Sequence, residues 1–409
     1  MLLPFFMIMG AIPRLPLAVV NIDSYSQHMK WLSRDNAARR LGVKPATLYA
    51  YVSRGLITAA RSPANPRESV YASADIDALK SRHRDARRPR EIARHAIAWG
   101  EPVLESAIAT IADGRLFYRG QDAVKLSAHA TLEETARIIW AMPQDWAPTR
   151  PRPVAVSGAT PKARGLAFLA RRTAESAPAF GRTRAHLAHE AHDLLTLMAD
   201  AMTNEPGDAP WHQRLAAMWN VKPRDAQLIR RALVLVADHE LNPSTFAARV
   251  TASTGASLAA ACLSGFATLT GPLHGEAAAR ALSFLQACEN NGTREAMREL
   301  LARGEVPPAA GHTLYPHGDP RAASLLAALK PRPLLAEAIN AVESTTGKPP
   351  NIDMALAALT LQLDLPRDAP FVIFAAGRTA GWLAHAMEQC GSNTPIRPRA
   401  TYNGPPPQL

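Results

Sequence analysis

The sequence predicts an all-α protein: a two-domain helical body preceded by a small basic helix-turn-helix unit. Three observations carry this expectation. Hydrophobic residues make up 47% of the 409 residues while aromatics are only 6%, and the many alanines favour helices over sheets. From about residue 92 onward apolar positions recur at helical spacing, with no run alternating as a strand would and no Asn-Gly hairpin signal between β-branched runs. The charge is unevenly placed. The chain carries a net +11, and residues 30–95 hold fifteen Lys and Arg against six Asp and Glu, a net of +9 that leaves +2 for the rest. A basic segment on a nearly neutral body points to a polyanionic partner for that segment.

Taken in order, residues 1–24 form an apolar extension. It lacks the basic start of a signal peptide, Pro4, Pro13 and Pro16 interrupt it, and Arg14 lies inside it, so it is expected to be unstructured and no membrane partner is expected. Residues 25–85 read as the helix-turn-helix domain. Ser33 caps a helix over Arg34–Leu41 and Gly42 ends it. Pro45 opens a second helix through Ser53 that stops at Gly55. Ile57–Tyr71 forms a small wing, and Asp75–Leu79 a third short helix. Residues 86–94 are a basic linker. In the body, helices are expected over Thr131–Ala141, Thr183–Met202, Ala226–Asp238, Gly275–Glu289, Leu334–Glu343 and Ile352–Leu363, with residues 142–161 an exposed loop. Cys262, Cys288 and Cys390 show neither metal nor redox spacing, which points to a reducing cytoplasm and no metal.

In a helix-turn-helix the second helix enters the major groove while nearby cations hold phosphates. Here that helix offers Thr47, Tyr49 and Arg54, with Lys44 at its start, and Arg39, Arg40, Arg61 and Arg67 could neutralise backbone charge. The alternative is a small helical domain with a solvated basic face. The stretch AARRLGVKPATLYAYVSRGLI (37–57) resembles the helix-turn-helix of MerR-type regulators, which implies duplex DNA as a partner of residues 25–85.

Five constellations in the body carry chemistry: DHELNPSTFAARV (238–250) with His239, GPLHGEAA (271–278) with His274, GHTLYPHGDPRA (311–322) with His312 and Arg321, NIDMALAALTLQL (351–363) with Asp353, and GRTAGWLAHAMEQ (377–389) with Arg378. A tail, IRPRATYNG (396–404), adds Arg397. Singly, each His or Asp reads as a satisfied polar residue or a cap. An Arg on an apolar helix is different, because an unpaired buried cation is expensive and calls for a carboxylate partner. Together they suggest one polar pocket.

These segments, in this order, resemble the signature stretches of the citrate synthase family, and LFYRGQDAVKLSAHATLEETARIIW (116–140) is similar to its early segment. The resemblance spans roughly residues 95–409. It implies a large domain of residues 95–275 and 363–409, a small domain of 276–362, and a cytoplasmic homodimer with composite active sites. It implies condensation of acetyl-CoA with oxaloacetate to citrate through an enol(ate), then thioester hydrolysis, with no permanent cofactor and no metal. Asp353 would be the base, His274 the donor to the thioester oxygen and His312 the group that polarises the ketone. His239, Arg321 and Arg378 would hold oxaloacetate, with Arg397 supplied by the neighbouring subunit. Alternatives are a 2-methylcitrate synthase using propionyl-CoA and a DNA-binding regulator that senses metabolites through this body. The sequence departs from the family pattern at Thr313, at Pro316, where a basic residue often helps hold CoA phosphates, and at Glu276 and Ala278.

Overall fold

The computed structural model describes residues 30–53, 56–62, 65, 68–86, 104–392, 394–400 and 402–405. The extension 1–24, residues 87–94 of the linker, and Arg54, Gly55 and Arg67 lie outside them. The chain divides into two compact units, Met1–Glu105 with Ala400–Leu409, and Ser106–Arg399. Among the described residues, no helix is long and apolar enough to cross a membrane.

In the first unit, β1 (Trp31–Ser33) leads into α1 (Arg34–Leu41), and α2 is Pro45–Ser53. Ser33 Oγ accepts from the Asn36 N–H, and Gly42 at φ +69° ends α1, as the sequence predicts. The expected wing is present as β2 (Ala59–Arg61) and β3 (Ser69–Ala72), in an antiparallel sheet of order β1-β3-β2. The third helix is longer than expected, with α3 running Ser73–Ala86. A small core of Ala37, Ala38, Leu48, Ile57, Tyr71, Ile76 and Leu79 holds these elements together. Two cations assigned to phosphate contact have partners here. Arg40 is bound to Asp77 through two hydrogen bonds of 2.7 and 2.8 Å, and Arg61 is also engaged.

The second unit is predominantly helical, but it opens with strands the sequence reading did not expect. β4 (Ala109–Ala112) and β5 (Arg115–Tyr118) form an antiparallel hairpin, and β6 (Gln121–Asp122) adds to β5. The signal was Asp113-Gly114. Both residues have positive φ, +48° and +69°, the type I′ geometry that Asp-Gly supplies in a two-residue turn. Helices then follow: α4 (Ala123–Ser127), α5 (Leu132–Ile139), α6 (Pro161–Glu175), α7 (Arg184–Thr203), α8 (Trp211–Met218), α9 (Ala226–Leu235), α10 (Pro243–Ser253), α11 (Leu258–Leu269), α12 (Ala277–Asn291), α13 (Thr293–Ala302), α14 (Pro320–Leu329), α15 (Pro333–Thr346), α16 (Ile352–Gln362) and α17 (Ala369–Cys390). Residues 143–160 form the expected loop between α5 and α6.

The centre of this unit is α17. From Ala369 to Ala386 every residue of it is buried, as suits a helix that is apolar all round. Glycines let neighbouring backbone approach it. A Cβ at Gly377 would lie 2.7 Å from the Leu233 carbonyl oxygen, and one at Gly381 would lie 2.4 Å from that of Ala237. The segment pressed against these glycines is where α9 ends. The expected helix to Asp238 stops three residues earlier, at Leu235. The unwound residues 236–239 turn their backbone toward α17.

Candidate active site

Three stretches of chain, around Tyr118, Tyr315 and Arg378, meet this unwound segment. Arg378 of α17 is 1% exposed. Its Nε donates to the Val236 carbonyl (2.9 Å), its guanidinium lies 4.7 Å from the Phe374 ring centroid, and its Nη2 has no hydrogen-bond partner. Burial lowers it to about 10, with Asp238 and Tyr118 opposing the shift and Arg321 adding to it. A buried guanidinium with a free N–H and no carboxylate of its own is suited to an anion.

Residue 239 follows directly. The Tyr118 hydroxyl donates to the Val234 carbonyl (2.9 Å) and accepts the Asp238 N–H (3.3 Å), fixing the turn. Asp238 faces His385 Nε2 at 3.2 Å, and Arg249 Nη1 lies 3.3 Å from His385 Nδ1 while also pairing with Glu388. The arginine can only donate, so the His385 proton sits on Nε2 and points at the Asp238 carboxylate. His239 itself is buried, and its Nε2 lies 2.9 Å from the Tyr315 hydroxyl. Burial first, then Arg321 and Arg378, hold it far below the ordinary histidine range, so it is neutral.

The segment 311–321 brings the next groups. The His312 ring centroid is 5.0 Å from that of His239 and 5.1 Å from that of Tyr315. The Leu314 N–H donates to His312 Nδ1 (3.1 Å). Burial and then Arg321 lower this imidazole to about 4. A neutral ring whose Nδ1 accepts carries its proton on Nε2, a defined donor. Arg321 is 2% exposed and bound twice to Asp319, Nε to Oδ1 at 2.9 Å and Nη2 to Oδ2 at 2.8 Å. Its Nη1 is left over. Asp319 caps α14 through the Arg321 N–H and also accepts the Ile352 N–H (3.0 Å). One carboxylate therefore joins the arginine to the first residue of α16.

Asp353 stands at the next position of α16. Its backbone N–H is capped by Asn351 Oδ1 (3.0 Å), and its carboxylate takes no hydrogen bond or ion pair among the described residues. Burial pushes it up to about 6, with Asp319 adding to the shift while Arg321 and Arg280 oppose it. On the other side of the site, His274 Nε2 lies 2.8 Å from Ser244 Oγ and its ring centroid 6.0 Å from that of Phe374. Ser244 in turn accepts Trp382 Nε1–H (3.2 Å) and donates to Asn242 Oδ1 (2.7 Å). Burial and then Arg378 lower His274 to about 4, so it is neutral and Nδ1 is the nitrogen left for a ligand.

The structure thus gathers His239, His312 and Arg321 around the Tyr315 ring, and places Arg378 beside the turn that carries His239. His274 joins them through Phe374, and Asp353 through Asp319. Arg397 is not among them. It is exposed on the coil after α17, where the Ile396 N–H donates to Ser253 Oγ (3.0 Å). In the first unit Lys44 and Tyr49 are exposed and Thr47 is half-buried. The sequence reading missed Tyr118, Asp238, Ser244, Tyr315, Asp319 and His385. All six lie inside the motif stretches, but their partners lie elsewhere in the chain, so the sequence alone did not mark them. Among the described residues, no group of three or more His, Cys, Asp and Glu is placed to hold a metal.

Residues 164–399 match the family described as citrate synthase, C-terminal domain, and the chain belongs to the citrate synthase family. It is 36% identical over 197 residues to citrate synthase 2 of Bacillus subtilis, covering 46% of this chain and 53% of that protein. It is 34% identical over 193 residues to 2-methylcitrate synthase 1 of Corynebacterium glutamicum, covering 44% and 50%. The chain thus spans about half the length of the curated relatives it matches. The citrate synthase of Thermoplasma acidophilum, solved with carboxymethyl coenzyme A and oxaloacetate, shares the fold with a TM-score of 0.61 at 21% identity, covering 75% of this chain and 95% of that one.

The position of Asp353 has a consequence for stability. Its folded pKa is raised from 3.8 to about 6, so between these values the native protein holds a proton that the unfolded chain has released. Stability from this group therefore falls as pH rises through the window, and at pH 7 the ionised carboxylate costs of the order of 3 kcal/mol. Asp353→Asn is expected to raise unfolding stability at pH 7.5 by about 1–3 kcal/mol, with the gain vanishing below about pH 4. Denaturant unfolding at the two pH values measures this, and a less stable variant at pH 7.5 contradicts it.

Proposed function

We propose that this protein condenses acetyl-CoA with oxaloacetate to citrate. The observation that carries the reading is a set of neutral imidazoles, and a carboxylate without a partner among the described residues, beside two buried guanidiniums, Arg321 and Arg378. The methyl protons of a thioester are very weakly acidic. A carboxylate removes one only if the oxygen that gains charge is stabilised at once. Asp353, raised toward neutrality by burial, takes the proton. His274 donates from Nδ1 to the thioester oxygen, and for that the single Ser244 proton, which goes to Asn242 Oδ1 in this structure, turns to His274 Nε2. The resulting enol(ate) carbon attacks the ketone of oxaloacetate, while His312 Nε2–H polarises the ketone and protonates the alkoxide. Water then hydrolyses the citryl thioester and releases CoA. Arg378, Arg321 through Nη1, and His239 hold the oxaloacetate carboxylates. Residues 276–362 act as the small domain that closes over the large one.

The test is thiol release from acetyl-CoA with oxaloacetate, repeated with propionyl-CoA. One methylene is worth about 1–3 kcal/mol in an apolar pocket, so both substrates are expected to turn over at different rates. The rate should fall as pH drops through about 6, where Asp353 becomes protonated, and Asp353→Asn should abolish it. Wild-type-like turnover in that variant refutes the role of Asp353. A preference for propionyl-CoA would make the protein a 2-methylcitrate synthase.

We further propose a homodimer with composite sites. Arg397 is exposed and has no ion pair on its own chain among the described residues, so it is free to meet substrate in a partner. Mixing Arg397→Ala chains with Asp353→Asn chains then gives heterodimers with one doubly damaged and one intact site. Activity should recover from two nearly dead parents, to about half the wild-type rate per heterodimer if sites act independently. Confirmed heterodimers without recovery reject the shared site.

For the first unit we propose duplex DNA binding of the MerR type. Its two short helices joined at Gly42–Lys44, with exposed Lys44 and Tyr49 at the second helix and the β2–β3 hairpin beside them, support this. The intact catalytic set favours DNA binding as an addition to enzymatic activity and not as its replacement. The full chain should shift duplex DNA at low salt, with affinity falling steeply toward physiological salt as counterions are released. No shift at low salt leaves the unit a structural one.

A further inference from the structure

Tyr315 lies inside the GHTLYPHGDPRA segment, and the chemistry proposed above does not use it. It is 2% exposed. Three substrate-facing groups meet it: the His239 ring centroid at 5.5 Å, that of His312 at 5.1 Å, and the Arg321 guanidinium at 5.4 Å from its ring centroid. An unadorned aromatic ring would supply all three of these contacts. The hydroxyl is therefore what needs a reason, because a buried hydroxyl is unfavourable unless it is hydrogen-bonded. Its partner is His239 Nε2, at 2.9 Å.

We propose that Tyr315 is a positioning residue of the oxaloacetate site, acting through His239: its hydroxyl fixes the orientation of the imidazole that meets the substrate. The proposal rests on the reading of the site as an oxaloacetate site. Both partners are neutral. Burial pushes the phenol well above its ordinary value, and burial together with Arg321, Arg378 and His312 holds His239 down. The other charged or titratable groups that bear on Tyr315 are Asp319, Tyr118 and Glu240. A single hydrogen bond between neutral groups adds little attraction for an anion. What it supplies is direction. It holds the ring at a set angle about its side-chain torsions, so that a carboxylate arriving between two arginines finds the imidazole already in place. Without the hydroxyl the His239 ring keeps its burial but loses the contact that sets its rotation.

Tyr315→Phe isolates this effect, since it keeps the ring, its packing and the cation contact. The experiment is a double-mutant cycle of Tyr315→Phe and His239→Ala, read by calorimetric titration of oxaloacetate into the full chain, with thermal melts confirming that each variant is folded. Tyr315→Phe is expected to weaken oxaloacetate binding by about three- to tenfold, the range of one net hydrogen bond. In the His239→Ala background the same change is expected to have no effect, because the ring it positions is gone. In steady state the loss should appear in KM for oxaloacetate with kcat little changed. Unaltered or tighter binding by Tyr315→Phe overturns the proposal. So does an equal loss in both backgrounds, which would make Tyr315 act independently of His239. If the wild-type chain takes no oxaloacetate, the functional reading itself fails and the proposal with it. Binding by the wild type without coupling in the cycle rejects only the role of Tyr315.

Discussion

Burying the guanidinium of Arg378 without a carboxylate of its own is the constraint around which the second unit is organised. A cation at 1% exposure is tolerable only if its N–H groups are met by acceptors and the surrounding charges compensate it in part. The chain meets this in several ways. α9 stops at Leu235, so that the Val236 carbonyl is free of its helix and accepts Arg378 Nε. Gly377 and Gly381, on either side of the arginine, let that unwound backbone come close enough. Asp238, steadied by His385 and Tyr118, supplies the largest compensating charge. The Arg378 Nη2 remains unsatisfied, and the fold leaves that deficit for a ligand.

The same cations decide what the histidines can be. Out of water and beside Arg321, Arg378 or both, an imidazolium is disfavoured twice, and His239, His274 and His312 all move down. Neutral histidines do not add positive charge to the site. They act as directional hydrogen-bonding groups, and each has one ring nitrogen committed to the protein, through Tyr315, Ser244 and the Leu314 N–H respectively. Asp353 experiences the opposite pressure. Burial raises it and Asp319 adds to this, whereas Arg321 and Arg280 limit the rise. A carboxylate brought close to neutral pH by these opposed influences is a better base than an ordinary aspartate and is still ionised at pH 7.

Residues that must be charged or polar in an apolar setting were legible in the sequence, because such placements are costly and therefore rare. Arg378 on a predominantly apolar helix and Asp353 at the head of another belong to this class. Their supporting residues were not legible. Tyr315 and Asp238 are polar residues in turns and Ser244 is one in the first turn of α10, places where polar residues are ordinary, and only the fold brings them against a ring nitrogen or a guanidinium. Asp319 and His385 likewise gain their meaning from partners elsewhere in the chain. The helices were readable from periodicity, but their ends were set by tertiary needs, as the early end of α9 shows. The β4–β5 hairpin was missed for a local reason. Its strands, ATIA and RLFY, are four residues each and half-buried, too short to show alternation, and only the turn pair Asp113-Gly114 marks them.

The departures from the family pattern fall where they cost the hydrogen-bonded centre least. Thr313, Pro316 and His317 are exposed, on the outer side of a segment whose inner members, His312, Tyr315, Asp319 and Arg321, carry the contacts. Glu276, two residues after His274, turns to Lys162 at 2.8 Å, and the same Lys162 ammonium lies 4.9 Å from the Phe371 ring centroid. That pair is part-exposed, so its contribution to stability is small. It does tie the His274 turn to α6, and the cation contact relates it to α17. Ala278 is buried and apolar, without a polar atom to satisfy. A chain can vary in this way because the two kinds of position answer to different physics. Inside, each polar atom needs a partner at a fixed distance, and losing one strands another. Outside, water substitutes for any partner that is removed, so the rim is free to change while the centre is not.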